Sequence, residues 1–183
     1  MRTNNLKTVL ILLVMVLSAT NSFAQKRAKK LADEDTKNWR YEIECEGVGS
    51  NGVYLIKIFS YSFNKDVAIE QAKKNAIHGV IFKGIPEGDR GCVSQPALAR
   101  NSNLEQEKAD YFEAFFAEGG KYQKFVNLTT DGAVKAGDRY EVGGSGLFRR
   151  KEYKIGIVVS VNKALLRKEL EDAGIVRGLS SGF

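Results

Sequence analysis

The sequence predicts an α+β fold. It is a mainly antiparallel sheet of four or five strands with two or three helices packed on it, in the order β-β-α-loop-α-β-β-α. Three observations carry this. Trp39, Tyr41, Ile43 and Cys45 alternate with Arg40, Glu42, Glu44 and Glu46, the period of a half-buried strand. Tyr153, Ile155, Ile157, Val159 and Val161 repeat that period near the other end. Between them Ala68, Ala72 and Ala76 recur every fourth residue, flanked by Ile69, Ile77, Val80 and Ile81, which marks one buried helical face. Small side chains on that face let a helix lie close to a sheet.

The chain opens on a signal peptide, residues 1–24. Arg2 and Lys7 precede the apolar run Val9 to Leu17, and Ser22-Phe23-Ala24 before Gln25 is a small-x-small cleavage site. The apolar run is too short to span a bilayer. It lacks a cysteine, so no lipid anchor is expected, and no later stretch reaches a membrane-spanning length. The expectation is an exported protein, periplasmic or extracellular. Removing the leader leaves 159 of the 183 residues, enough for one domain with a core. Residues 25–37 read as a flexible lead-in, 38–174 as a single domain and 175–183 as a tail.

With Arg2 and Lys7 set aside, 26 basic and 22 acidic residues remain, a net charge of +4. Much of it belongs to Lys26, Arg27, Lys29 and Lys30 of the lead-in. The domain is therefore near neutral, and nucleic acid is not expected as a partner. The two cysteines, Cys45 and Cys92, form an even count in an exported chain. That favours a disulfide over two separate buried thiols. Closing so long a loop contributes about 4 kcal/mol on the chain-entropy model.

The acidic side of the first strand reads as a solvated face paired with lysines of the next strand. Gly47, Gly49 and Gly52 fit the spacing G-x-G-x-x-G, but a dinucleotide fingerprint opens a helix. Here Val53 to Phe59 follows, β-branched and aromatic, so Asn51-Gly52 is read as a hairpin turn. That second strand is apolar on both faces, as a central strand is.

The alanine helix runs from an Asn64 cap to Gly84, with Pro86 beyond it. At about 100° per residue, His78 falls opposite Ile69, beside Gln71, Lys74 and Asn75. This predicts a solvent-facing histidine rather than a catalytic base. A Cys92–His78 nucleophile pair lacks a third orienting group at any recognisable spacing. Ser102-x-x-Glu105 is a capping box opening a second helix that runs to Glu118. Leu104, Tyr111, Phe112, Phe115 and Phe116 share one face of it. The core is the favoured place for these rings; a binding surface formed by Tyr111, Phe112, Phe115 and Phe116 is the alternative.

Lys124 to Thr129 and Arg139 to Val142 are further strands. Gly143-Gly144-Ser145-Gly146 is not a nucleophile elbow, because Leu147 occupies the last position. Arg149 and Arg150 form a turn or an exposed basic patch. Asn162 caps a last helix, Lys163 to Ala173, with Leu165, Leu166 and Leu170 inward and Gly174 as its stop.

The strand, glycine hairpin, strand and alanine-seam helix resemble small exported α+β modules of Gram-negative envelopes. The N-terminal module of the flagellar assembly protein FlgT and related small envelope lipoproteins are of this kind. The leader ending Ser22-Phe23-Ala24-Gln25 is similar to those of exported Bacteroidota proteins. The resemblance covers residues 46–84 and 153–174 and departs from the lipoproteins in lacking a lipidation cysteine. It implies an envelope setting and no particular chemistry.

There is one histidine, no metal-ligand spacing and no phosphate loop, and no cofactor is expected. The leading functional expectation is a non-enzymatic module that binds an envelope protein or glycan. Carboxylate pairs need no short motif, so a hydrolase using Glu44 or Glu46 with Asp138 is the alternative. A small-ligand binder built on the aromatic helix is a third.

Overall fold

The computed structural model describes residues 38–62, 65–129, 133–143 and 152–178. The expected leader, the lead-in, Asn64, Arg149, Arg150 and the end of the tail lie outside them. The described chain is α+β, as the sequence predicts.

Strand β1 (Tyr41–Val48) turns at Ser50-Asn51-Gly52 into β2 (Val53–Ser62). Asn51 and Gly52 both take positive φ, 56° and 75°, and Val53 N donates to Ser50 O. Two consecutive left-handed residues make the type I′ turn that matches strand twist. Helix α1 (Lys65–His78) continues as a π-helical turn, Gly79–Lys83. Short helices α2 (Leu104–Glu107) and α3 (Ala109–Phe116) follow, then a 3₁₀ turn, Lys121–Phe125. Strand β3 (Val126–Leu128), a 3₁₀ turn (Ala136–Asp138), β4 (Arg139–Gly143), β5 (Glu152–Asn162) and α4 (Lys163–Asp172) complete the order.

The sheet is antiparallel with β1, β2 and β5 side by side. The far edge of β5 is shared: β3 pairs with its end and β4 with its start. Ile56, Ile58, Ile155, Ile157, Val159 and Val161 are fully buried on one face. Burying each such side chain is worth about 1.5–3 kcal/mol. Ala68, Ala72 and Ala76 of α1 are fully buried, as the alanine seam requires.

The second predicted helix is broken. A kink at Lys108, φ −120° and ψ 35°, separates α2 from α3, and α3 ends at Phe116, short of Glu118. The capping box does not form: the N-cap is Asn103, without a side-chain bond, and Glu105 turns elsewhere. Phe112, Phe115 and Phe116 are buried and Tyr111 is half-buried, so these rings build the core. In α4 the Asn162 cap is as expected, its Oδ1 accepting from Leu165 N at 2.9 Å. Leu166 and Leu170 are buried, but Leu165 is 53% exposed and does not point inward.

The long loop Ile85 to Arg100 is fastened at both ends. Ile85 and Gln95 exchange backbone bonds, and the N–H groups of Leu98 and Ala99 donate to the carbonyls of Val80 and Ile81 in the π-helical turn. Cys92 is bonded to Cys45 on β1, Cα–Cα 6.0 Å. Gly84 passes so near the loop that a Cβ there would meet Gln95 O at 2.3 Å.

Candidate functional site

Two polar networks occupy opposite sides of the sheet. The first starts from α1. Its angular arithmetic places His78 opposite Ile69, yet His78 is only 4% exposed, and Gln71, Lys74 and Asn75 are buried too. The expectation of a solvent face fails because α1 is covered on more than one side. The sheet takes the alanine seam, while α2, α3 and the Lys121–Phe125 turn cover the flank where polar residues lie. Exposure remains at Asp66, with Glu70 and Lys73 half-buried and ion-paired.

Burial favours polar groups that find partners, and several here do, although Gln71 Oε1 and Asn75 Oδ1 have none among the described residues. Asn75 Nδ2 donates to Ser60 Oγ at 2.9 Å. His78 Nδ1 meets the Tyr41 hydroxyl at 2.7 Å, and His78 Nε2 meets Glu105 Oε2 at 3.3 Å. Trp39 Nε1 donates to the other oxygen, Glu105 Oε1, at 2.7 Å. The Trp39 ring stacks on the imidazole, centroids 3.7 Å apart, and Phe82 lies 4.7 Å away. Trp39 adopts φ 45°, a left-handed backbone uncommon for so large a residue. Lys83 Nζ is 3.7 Å from the Tyr41 ring centre.

Electrostatics orient this chain. Burial works to raise Glu105, but the hydrogen bonds from His78 and Trp39 outweigh it and hold the carboxyl below its ordinary range. Burial pushes His78 down despite Glu105, and burial, with the Glu105 charge, pushes Tyr41 up. An ionised carboxylate only accepts, so Nε2 carries the imidazole proton. Nδ1 then accepts from the Tyr41 hydroxyl, and every donor in the chain points towards Glu105. The geometry matches acid–imidazole–hydroxyl relays in outline, but Tyr41 is buried. What the arrangement does is join the segment before β1, α1 and α2 at one point.

The second network lies on the outer face of the sheet. The β1–β2 register slips between Cys45 and Gly47, leaving Glu46 as the extra residue of a bulge. Bulges re-aim side chains. Here Glu46 Oε1 reaches Lys57 Nζ at 2.5 Å, although Glu44 is the residue paired with Lys57 in register. Asp138 Oδ1, from the turn before β4, reaches the same Nζ at 3.3 Å. The hydrogen bond from Lys57 holds Glu46 below the ordinary carboxylate range despite partial burial. Nearby, Lys154 Nζ pairs with Glu42 at 2.5 Å and Tyr61 donates to the same carboxylate. Two carboxylates of the acidic ladder, Glu46 and Glu42, are thus paired with lysines, one on the adjacent strand and one on the strand beyond. Glu46 and Asp138, two of the carboxylates singled out from the sequence, do converge, with a lysine between them.

The only predicted site pair that the fold joins covalently is Cys45–Cys92. Among the described residues no group of three or more His, Cys, Asp or Glu side chains could hold a metal ion, and no helix is long and apolar enough to cross a membrane. Sequence reasoning missed Trp39, Tyr41 and Glu105 as partners of His78. Their signal was present only as a tryptophan just before a strand and a glutamate in a false capping box. Comparison with known proteins finds no matching family model, no similar curated protein and no similar solved structure.

Proposed function

We propose that the chain is an exported, non-enzymatic module that binds another component of the cell envelope through the β4 side of its sheet. The observation that carries this is Tyr140 and Val142. They stand two residues apart on β4 and are 48% and 44% exposed. Among the described residues β4 pairs only with β5, so it is an outer strand that carries exposed apolar side chains. Edge strands of soluble proteins commonly avoid that combination unless a partner uses it. Lys154, its Nζ 6.0 Å from the Tyr140 ring centre, lies beside the patch on the outer face, and the buried Phe59 ring backs Tyr140 at 6.2 Å. Export rests on the leader-like N-terminus and accords with the Cys45–Cys92 bond, since disulfides persist in oxidising compartments.

The hydrolase alternative draws less support. A glycosidase pair keeps one carboxyl protonated to act as acid. Glu46 is instead held low, and both it and Asp138 are tied to Lys57.

The test is retention from envelope extract on immobilised wild-type protein and on Tyr140→Asp. We expect a specific protein or glycan retained by the first and lost by the second, with equal thermal melts. Equal retention by both, or none by either, overturns the proposal.

A further inference from the structure

The outer-face ion-pair network holds a nucleophile, an electrophile and a base together. We propose that Lys57 and Asp138 become joined by an intramolecular isopeptide bond, with Glu46 carrying the protons. Lys57 Nζ stands 3.3 Å from Asp138 Oδ1 and 2.5 Å from Glu46 Oε1. The Lys57 and Asp138 side chains are only 13% and 12% exposed. The three residues come from the β1 bulge, the middle of central strand β2 and the turn leading into β4, so the fold presets their geometry. Such positioning replaces a bimolecular encounter and supplies much of what an amide-forming step needs.

The surroundings fit. Gly156 of β5 faces this spot, and a Cβ there would lie 3.0 Å from Asp138 Cβ and 2.7 Å from Phe59 Cε1. The missing side chain is what lets Asp138 lean over β5 towards Lys57. The Phe59 ring centre is 5.9 Å from Lys57 Nζ and forms an apolar wall.

The step balances without a redox partner. Burial works to lower Lys57, but its hydrogen bonds to Glu46 and Asp138 outweigh it and hold the resting group as an ammonium. Reaction begins when Nζ passes a proton to Glu46. Glu46 hands that proton to the Asp138 carboxylate, and the free amine attacks the now neutral carboxyl at Cγ, forming the C–N bond and a tetrahedral carbon. A C–O bond then breaks, and the oxygen leaves as water with protons relayed by Glu46. Of the three ammonium protons, one stays on the amide nitrogen and two depart in the water. Glu46 ends as it began.

The product would tie β2 to the start of β4 across β5, a second crosslink independent of Cys45–Cys92. The test is intact-mass and tandem mass spectrometry on exported, disulfide-bonded wild-type protein. We expect a mass one water below that of the processed sequence, and a branched peptide joining the Lys57 and Asp138 segments. Lys57→Arg, Asp138→Ala and Glu46→Gln should each restore the missing water and give linear peptides. Folded wild-type protein that yields Lys57 and Asp138 only in separate, unmodified peptides overturns the proposal. A branched peptide persisting in Glu46→Gln overturns the role given to Glu46. The wild-type measurement stands even where a variant fails to fold.

Discussion

Replacing His78 by alanine tests whether the buried chain holds the fold together. The imidazole is almost fully buried, stacked on Trp39 with the tilted Phe82 ring 4.7 Å away. Emptying a site of that size in a core costs about 2–5 kcal/mol. The Tyr41 hydroxyl then loses its acceptor inside the protein, at about 1–3 kcal/mol for an unsatisfied buried group. Glu105 adds little, because its side chain is 34% exposed and can turn to water. The expected loss is about 3–8 kcal/mol, a large share of the 5–15 kcal/mol typical of a domain. Tyr41→Phe alone should cost about 1–2 kcal/mol, since it leaves Nδ1 without its donor. In the double variant the orphaned hydroxyl is gone, so the losses should fall short of additive by about 1–2 kcal/mol. Urea unfolding of the four proteins with the disulfide intact measures this. A His78→Ala loss below about 1 kcal/mol, or strict additivity, refutes the buried hydrogen bond.

Stability should also respond to pH. His78 in the fold lies below its ordinary 6.5, where the neighbouring charges are Glu105 and Lys83 and the neighbouring titratable hydroxyl is Tyr41. Above that pH both folded and unfolded imidazoles are neutral and the full stability is present. As pH falls the unfolded chain takes the proton first, and stability declines by at most about 1.4 kcal/mol per pH unit until the folded group titrates. Glu105, lowered from 4.5, adds a second loss below that value. Urea midpoints across this range should lose the first phase in His78→Phe, and an unchanged profile counts against it. Ala72→Leu should destabilise by about 1–3 kcal/mol through overpacking, read as a lowered thermal midpoint. Cys45→Ala with Cys92→Ala should lose about 4 kcal/mol in urea unfolding; equal midpoints would contradict the loop-closure account.

The fold was largely legible because its periodicities are strong. The alternation from Trp39 to Cys45, the two-sided apolarity of Val53 to Phe59 and the Tyr153 to Val161 run each specify a strand and its rank in the sheet. Asn51-Gly52 and Asn162 act locally, and their roles follow from local chemistry. The site was less legible. The angular position of His78 on α1 was sound, but exposure depends on what covers that side. The cover comes from rings forty residues later, across a break at Lys108 that no residue announces. Ser102 and Glu105 have the spacing of a cap, yet a buried imidazole and an indole compete for the same carboxylate and win. The Glu46 bulge and its reach to Lys57 depend on a one-residue slip in register, which alternation alone conceals.

The Cys45–Cys92 bond also sets how the molecule carries load. The 47-residue interval between the sulfurs contains all of β2 and α1, the centre of the sheet and its main helix. Tension applied to the chain ends passes from β1 through the sulfurs into the loop before α2, bypassing that interval. In a chain whose Lys57 and Asp138 are not joined, at about 3.3–3.6 Å per extended residue, roughly 160 Å of contour stays hidden until the disulfide is reduced. Such a molecule is a short tether when oxidised and a long one when reduced, whereas a Lys57–Asp138 bond would keep it short in both states.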